Sequence, residues 1–177
     1  MMLECGCPGE YPPWQDEDVD LGGSIVHELA VPMLLHMPLA FEVYLKKQQE
    51  ALIKLQLAER WPGLVLFTTG MFRGRILRLL EEDTHSLSTQ VRHLPSPFQL
   101  RVHLHHGNIS TARNVIRDMQ RELIDSGRMP KELYLAYLTC PRCSESRGGE
   151  RLLLLRRWEE SLVLRNRARR RSESDLE

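Results

Sequence analysis

The chain has 177 residues, of which 42% are hydrophobic and 27% charged, and its formal net charge is zero. This length and composition favour one globular core with tails and exclude two full domains. The balanced total charge hides an uneven distribution, because the first 20 residues hold six acids and no Lys or Arg.

We predict an α+β fold in which amphipathic helices pack on a small sheet, with a disordered acidic N-terminus and a basic C-terminal helix. Residues 1–23 are the acidic tail, residues 24–143 the core domain, and residues 144–177 a glycine hinge followed by the basic helix. The aromatic residues Tyr11 and Trp14 interrupt the acidic tail. They either bind a groove on a partner or pack back on the domain.

The clearest structural signal lies between residues 97 and 130. Apolar and polar residues alternate over 98–105, which predicts a strand with one buried face. A Gly-Asn turn follows, and residues 109–126 then carry apolar side chains at the three- and four-residue spacing of a helix.

Other elements follow from the same patterns. The longest predicted helix covers 38–60, and we favour a core helix over a coiled-coil seam because the apolar spacing breaks at Gln48. A strand is expected over 64–69, and a short apolar helix or strand over 131–139. Residues 71–80 fit a second strand or the start of a helix, and we favour the strand. No internal repeat is evident in the sequence.

Residues 152–171 are expected to form a basic amphipathic helix. Leu155, Trp158 and Leu162 lie along one line of this helix, and we interpret them as a surface for a protein partner. The apolar run over 29–41 is shorter than the ~20 residues a membrane-spanning helix needs, so no transmembrane segment is expected. The N-terminus also lacks the pattern of a secretory signal, which predicts an intracellular location.

The chain contains four cysteines in two close pairs, Cys5 with Cys7 and Cys140 with Cys143. Four thiolates can close a tetrahedral zinc site, and the Cys-x-x-Cys spacing suits a metal-binding knuckle. The alternatives are unligated thiols in flexible segments and a redox pair at Cys140 and Cys143. Zinc is the one cofactor that the sequence suggests.

His103 and His105 share the polar face of the strand predicted over 98–105, and His106 follows them. Two histidines about 7 Å apart along a strand suit a metal or phosphate contact. A solvent-facing pair is favoured, because no third ligand is evident.

Five arginines form a basic cluster near the C-terminus: Arg165, Arg167, Arg169, Arg170 and Arg171. Such a cluster is typical of nuclear import, of phosphate contacts with nucleic acid or anionic lipid, or of a solvated helix end. No complete catalytic or nucleotide-binding motif is present, so we predict that the protein is not an enzyme.

Residues 67–118 include Thr69-Gly-Met-Phe-Arg-Gly and His105-His-Gly-Asn-Ile-Ser, and this stretch resembles a gametogenetin-binding protein of male germ cells. The resemblance implies a binding role in spermatogenesis and mitochondrial shape, with gametogenetin as the partner. The lack of a catalytic motif, the charged ends and the surplus of apolar helices make a non-enzymatic adaptor in the cytoplasm, associated with mitochondria or the nucleus, the leading hypothesis. The alternatives are a binder of nucleic acid or anionic membranes and a structural zinc protein.

Overall fold

A computed structural model describes residues 1–174. Over this range the chain forms one antiparallel sheet of nine strands and three helices. The strands are β1 Glu17–Asp20, β2 Ile25–Leu34, β3 Met37–Pro38, β4 Leu66–Thr68, β5 Arg73–Leu79, β6 Val91–His93, β7 Gln99–His106, β8 Arg128–Tyr137 and β9 Arg151–Glu160. The helices are α1 Phe41–Lys54, α2 Arg113–Asp125 and α3 Leu162–Ser174.

The sheet is built from two copies of one arrangement. Its strand order is β1-β7-β9-β8-β4-β5-β2-β3, with β6 also paired to β2. Each half of the sheet follows the pattern strand, helix, strand, strand, as β2-α1-β4-β5 and β7-α2-β8-β9. In each half the third strand (β5 or β9) lies between the first and the second. The two second strands, β4 and β8, pair with each other at the centre. The chain therefore contains an internal structural repeat that the sequence did not reveal.

The central strands are apolar on both faces because both faces are covered. Along β9, Leu152 and Leu154 belong to one core cluster, whereas Leu153 and Leu155 belong to another. Successive side chains of a strand point to opposite faces, so each cluster occupies one side of the sheet. A strand buried on both faces loses the apolar–polar alternation that usually identifies it.

Helices α1 and α2 cover the face that carries Leu152 and Leu154. Phe41, Tyr44 and Leu45 of α1 pack against this cluster, together with Val115, Ile116 and Met119 of α2. Burial of Gln48 and Leu52 in α1 agrees with a core helix.

The opposite face is covered by loops and by the N-terminal segment. Tyr11, Trp14 and Trp61 pack against the cluster that contains Leu153 and Leu155. Tyr11 and Trp14 therefore pack back on the domain. A disordered tail over 1–23 is not confirmed, because this segment contains β1 and the buried Cys7.

Most predicted elements are confirmed with shifted ends. The strands predicted over 64–69, 71–80 and 98–105 correspond to β4, β5 and β7, and the ambiguous segment 131–139 is part of strand β8. The helix predicted over 109–126 is α2, but its apolar side faces β8 and β9. It does not face Phe98 and Val102 of the preceding strand, which lie in the core cluster of the other face.

The helix predicted over 152–171 is wrong in its first half. Arg151–Glu160 is strand β9, which pairs with both β7 and β8, and only Leu162–Ser174 is helical. The core therefore extends to Glu160, beyond the boundary predicted at residue 143.

Candidate functional site

A cavity of about 710 Å³ lies beside α1 on the helix-covered face of the sheet. Its apolar wall comes from α1 and from the junction of the central strands β4 and β8. The ring centroids of Phe41 and Phe67 are 5.3 Å apart, and those of Phe67 and Tyr137 are 5.5 Å apart. Leu45 and Val65 complete this wall. The rings of Phe67 and Tyr137 stack on each other at an interplanar angle of 20°.

Few polar groups face this cavity. Glu42, in the first turn of α1, is the one carboxylate among the described lining residues. Gln49 also lines the cavity, and its Oε1 atom is buried without a hydrogen-bond partner among the described residues. Burial raises the pKa of the Tyr137 phenol, so this hydroxyl stays protonated at neutral pH. Gln49 and Tyr137 therefore add uncharged polar groups to a largely apolar lining.

A buried polar network stands behind the cavity and joins α1 to the sheet. Arg78 of β5 donates from Nε to Gln48 Oε1 at 3.0 Å and forms a 2.7 Å ion pair with Glu59. Gln48 Nε2 donates to the backbone oxygen of His27 at 3.1 Å. These contacts attach α1 to strands β2 and β5.

The four cysteines meet at one end of the cavity. Their sulfur atoms all lie within 4.8 Å of one another, although the two pairs are more than 130 residues apart in sequence. Cys5, Cys7 and Cys140 also line the cavity, while Cys143 is buried behind them. We call these residues the four-cysteine cluster. They are the one predicted metal-ligand set that the structure brings together.

The cysteines differ in their tendency to ionise. Burial raises the pKa of Cys7, and hydrogen bonds with the neighbouring thiols raise it further. Burial also opposes ionisation of Cys140, but hydrogen bonds from the backbone N–H groups of Arg142 and Cys143 dominate and lower its pKa to about 6. In the metal-free chain, Cys140 is therefore the first of the two to become a thiolate.

The predicted partner surface of Leu155, Trp158 and Leu162 is not present. Leu155 and Trp158 lie on β9, where they are 0% and 7% exposed. Leu162 is 74% exposed and begins α3, a different element. The guanidinium of Arg128 stacks on the Trp158 ring at 4.3 Å, so Trp158 is covered from the solvent side as well.

The arginine cluster lies on α3, and all five of its side chains are exposed. Arg165 forms an ion pair with Glu160, Arg169 with Glu173, and Arg171 with Asp125. Exposed ion pairs of this kind contribute roughly 0–1 kcal/mol, so they do not prevent contact with another anion.

The histidines of β7 do not converge on a metal site. His103 forms an ion pair with Asp16, whereas His105 is buried and its Nε2 lies 2.8 Å from the Thr111 hydroxyl. Their ring centroids are 6.5 Å apart. Each imidazole ring therefore has a polar partner within the protein, and these partners account for the histidine pair without a metal.

The sequence did not predict the cavity. It did contain a signal for the polar network beside it, because Gln48 is a polar residue on the apolar stripe of a helix and such a residue indicates a buried polar partner. The aromatic lining gave no signal, since Phe41, Phe67 and Tyr137 come from three separate elements.

A family model described as bacterial hydrolase matches residues 2–157, which is most of the chain. The chain belongs to this bacterial hydrolase family. The match includes both cysteine pairs and every residue that lines the cavity. No curated protein matches the sequence significantly.

Two solved structures resemble the fold of this family member. The crystal structure of the EcmrR C-terminal domain has a TM-score of 0.57 and 13% identity, with 84% of this chain and 99% of that domain covered. The cryo-EM structure of the EcmrR–DNA complex in EcmrR-RPo has a TM-score of 0.56 and 12% identity. That match covers 81% of this chain and 57% of EcmrR. At this identity the similarity shows the fold alone.

These matches overturn the resemblance to gametogenetin-binding protein. The chain belongs to a bacterial family, so the gametogenetin partner, the spermatogenesis role and the mitochondrial association are wrong. The adaptor hypothesis based on them is wrong as well. Among the described residues, no helix is both long and apolar enough to cross a membrane.

Proposed function

We propose that this member of the bacterial hydrolase family is a binding domain for one small apolar aromatic molecule. The observation that carries the proposal is the cavity of about 710 Å³ with a wall of Phe41, Phe67 and Tyr137. Cavities that bind organic molecules have volumes of roughly 300–1,000 Å³ and combine an apolar lining with a few polar groups.

The lining also indicates the chemistry of the ligand. A planar ring can pack against the aromatic side chains Phe41, Phe67 and Tyr137 of the wall, and aromatic pairs contribute about 0.5–1.5 kcal/mol beyond their buried area. The charged lining residues are Glu42, Arg142 and Arg78, and Arg78 is already paired with Glu59, so the lining selects weakly between anions and cations.

A fluorescence titration with Nile red, an uncharged planar dye that brightens in apolar surroundings, tests the binding proposal. We expect a saturable signal with one site per chain. The variant Tyr137→Ala should weaken binding because it removes one of the three aromatic side chains of the wall. A non-saturable signal that Tyr137→Ala leaves unchanged would contradict the proposal.

Because the family is described as a hydrolase family, the protein should also be assayed for hydrolysis. Glu42 is the residue with the chemistry of a general base for water, since an ionised carboxylate can accept its proton. We propose binding without catalysis, because the described lining includes no histidine base and its one thiol with a lowered pKa, Cys140, belongs to the four-cysteine cluster. Saturable hydrolysis of p-nitrophenyl acetate that is lost in Glu42→Gln but retained in Glu50→Gln would show a hydrolase instead.

The arginine cluster on α3 supports a second candidate function, binding to nucleic acid. Five exposed arginines over seven residues of one helix give a dense positive surface, and arginine contacts phosphate with two parallel hydrogen bonds. This surface is distinct from the cavity, which has no lining residue on α3. Substitutions in the cavity and substitutions in the arginine cluster therefore test the two candidate functions separately.

A further inference from the structure

We propose that Cys5, Cys7, Cys140 and Cys143 bind one Zn²⁺ ion as a structural site that fixes the N-terminal segment to the sheet. The proposal goes beyond ligand binding and does not depend on it. It rests on the convergence of four free thiols from two remote segments.

The sulfur spacing suits a tetrahedral ion. Zn–S bonds of about 2.3 Å place the sulfurs of a tetrahedral site about 3.8 Å apart. Cys140 Sγ and Cys143 Sγ are 3.9 Å apart, and all four sulfurs lie within 4.8 Å of one another. A disulfide needs a separation of about 2.05 Å, and two disulfides would leave no reason for all four sulfurs to share one centre.

The backbone around Cys140 and Cys143 has the shape of a metal-binding knuckle. The N–H groups of Cys143 and Ser144 both donate to the carbonyl of Cys140, at 3.0 and 2.9 Å. The Cys140 N–H points at Cys143 Sγ, at 3.3 Å. An N–H directed at a ligand sulfur stabilises negative charge on that sulfur, and hydrogen bonds of this kind support the ligands of metal sites.

The other pair sits in a tight loop at the N-terminus. Gly6 separates Cys5 from Cys7 with φ +87°, a conformation that favours glycine. The N–H of Leu3 donates to the carbonyl of Cys7 at 2.9 Å and closes the loop. Both thiols can therefore face one point from adjacent positions.

Contacts outside the cluster bring the loop and the knuckle together. Arg147 donates to the carbonyl of Pro8 and to that of Leu138, both at 2.9 Å. A Cβ on Gly63 would lie 3.0 Å from the Pro8 nitrogen, so the loop also lies tightly against the turn before β4. The protein thus positions the ligand set through other contacts, and the ion need not organise it alone.

Four cysteine ligands indicate a structural ion, because they leave no open position for water or substrate. The ion would replace the protons of the four thiols, which leave to solvent, and no sulfur changes its oxidation state. Cys5 and Cys140 are partly exposed, so the ion can enter from the cavity side, whereas Cys7 and Cys143 are buried.

Metal analysis of the full chain, purified after expression with added zinc, tests the site directly. We expect one zinc per chain, four thiols that react slowly with a thiol reagent until a chelator is added, and faster hydrogen exchange over residues 1–9 after chelation. Cobalt in place of zinc should give the absorption of a tetrahedral thiolate complex. These readouts need no ligand in the cavity, so they stand or fall separately from the proposed function.

Two variants test the ligand assignment. Cys5→Ser should lower zinc affinity strongly, whereas Ser144→Ala, next to Cys143, should retain one zinc per chain. If Cys5→Ser does not fold, the metal content and cobalt spectrum of the unmodified chain decide. Four freely titrating thiols without zinc, disulfides in the native chain, or undiminished zinc affinity in Cys5→Ser would overturn the proposal.

Discussion

Gln48 of α1 lies against His27 of β2, with 3.3 Å between Gln48 Nε2 and His27 Nδ1, and both side chains are fully buried. The amide nitrogen donates, so Nδ1 of the imidazole acts as the acceptor. On the other side of the amide, Gln48 Oε1 accepts from Arg78. One glutamine therefore joins a helix to two strands beneath the cavity.

Gln48→Leu should lower the free energy of unfolding by about 1–3 kcal/mol, because it leaves buried donors and acceptors without partners. Leucine has a similar size, so the loss will reflect the hydrogen bonds more than the packing. Urea denaturation measures this change. Lys47→Leu, at an exposed position of the same helix, is the control and should change stability little. Equal stability of the two variants would contradict the structural role of Gln48.

Stability should fall when the pH drops from neutral towards 5, and His27 should contribute to that fall. Burial lowers the pKa of His27, and the charge of Arg78 also lowers it, against opposing hydrogen bonds. Its contribution is fully present above the unfolded pKa of about 6.5. It is lost as the pH falls towards the lower folded pKa, because the unfolded chain binds the proton more tightly.

The measurement is the free energy of unfolding against pH for the unmodified chain, His27→Gln and His85→Gln. His27→Gln should flatten the curve below pH 6.5, whereas His85→Gln should retain its slope. Part of the slope will remain in His27→Gln, because burial also lowers the pKa of His105. An unchanged slope in His27→Gln would contradict this assignment.

Trp158→Ala should destabilise the domain by about 3–5 kcal/mol, because Trp158 is a buried side chain of the central strand β9. Phe72→Ala removes a ring that is 68% exposed and should have a small effect. Thermal or chemical denaturation of both variants checks the difference. A Trp158→Ala protein as stable as the unmodified chain would contradict the burial of β9.

The arginine cluster should give salt-sensitive binding to duplex DNA if nucleic acid is its partner. Each phosphate neutralised contributes a slope of about −0.9 to the logarithm of affinity against the logarithm of salt concentration. Replacing Arg165, Arg167, Arg169, Arg170 and Arg171 with Gln should remove most of the slope and leave Nile red binding unchanged. Replacing Lys46, Lys47 and Lys54 with Gln is the control and should retain the slope. Weak binding that the five-Gln variant shares with the unmodified chain would exclude this surface.

The sequence predicted the elements whose two faces differ. Strand β7 alternates because its polar residues are only partly covered, and α2 has a narrow apolar stripe beside a charged side. Strand β9 was mistaken for a helix because Leu152–Leu155 is buried on both faces and carries no period of two. Strand β2 was missed because its apolar run contains Pro32.

The sequence predicted which four cysteines form the candidate ligand set, but not where they lie in the fold. Spacing within each pair is a local property and is readable, whereas the approach of residues 5–7 to residues 140–143 depends on how the N-terminal segment packs. The cavity depends even more on tertiary structure, because its wall combines residues from α1, β4 and β8. The internal repeat of the fold is likewise a property of the strand order, and the residues at equivalent positions do not show it.

The affinity of Nile red for a variant with a filled cavity is the measurement that tests the central claim most directly. Leu45 lines the cavity from α1, whereas Val43 on the same helix is 62% exposed and does not line it. Leu45→Trp and Val43→Trp therefore introduce the same ring inside and outside the proposed site. Circular dichroism and urea denaturation establish that both variants remain folded. If the cavity is the binding site, Leu45→Trp lowers the affinity by at least about tenfold, or 1.4 kcal/mol, while Val43→Trp leaves it unchanged. Equal affinities in the two folded variants would contradict the claim.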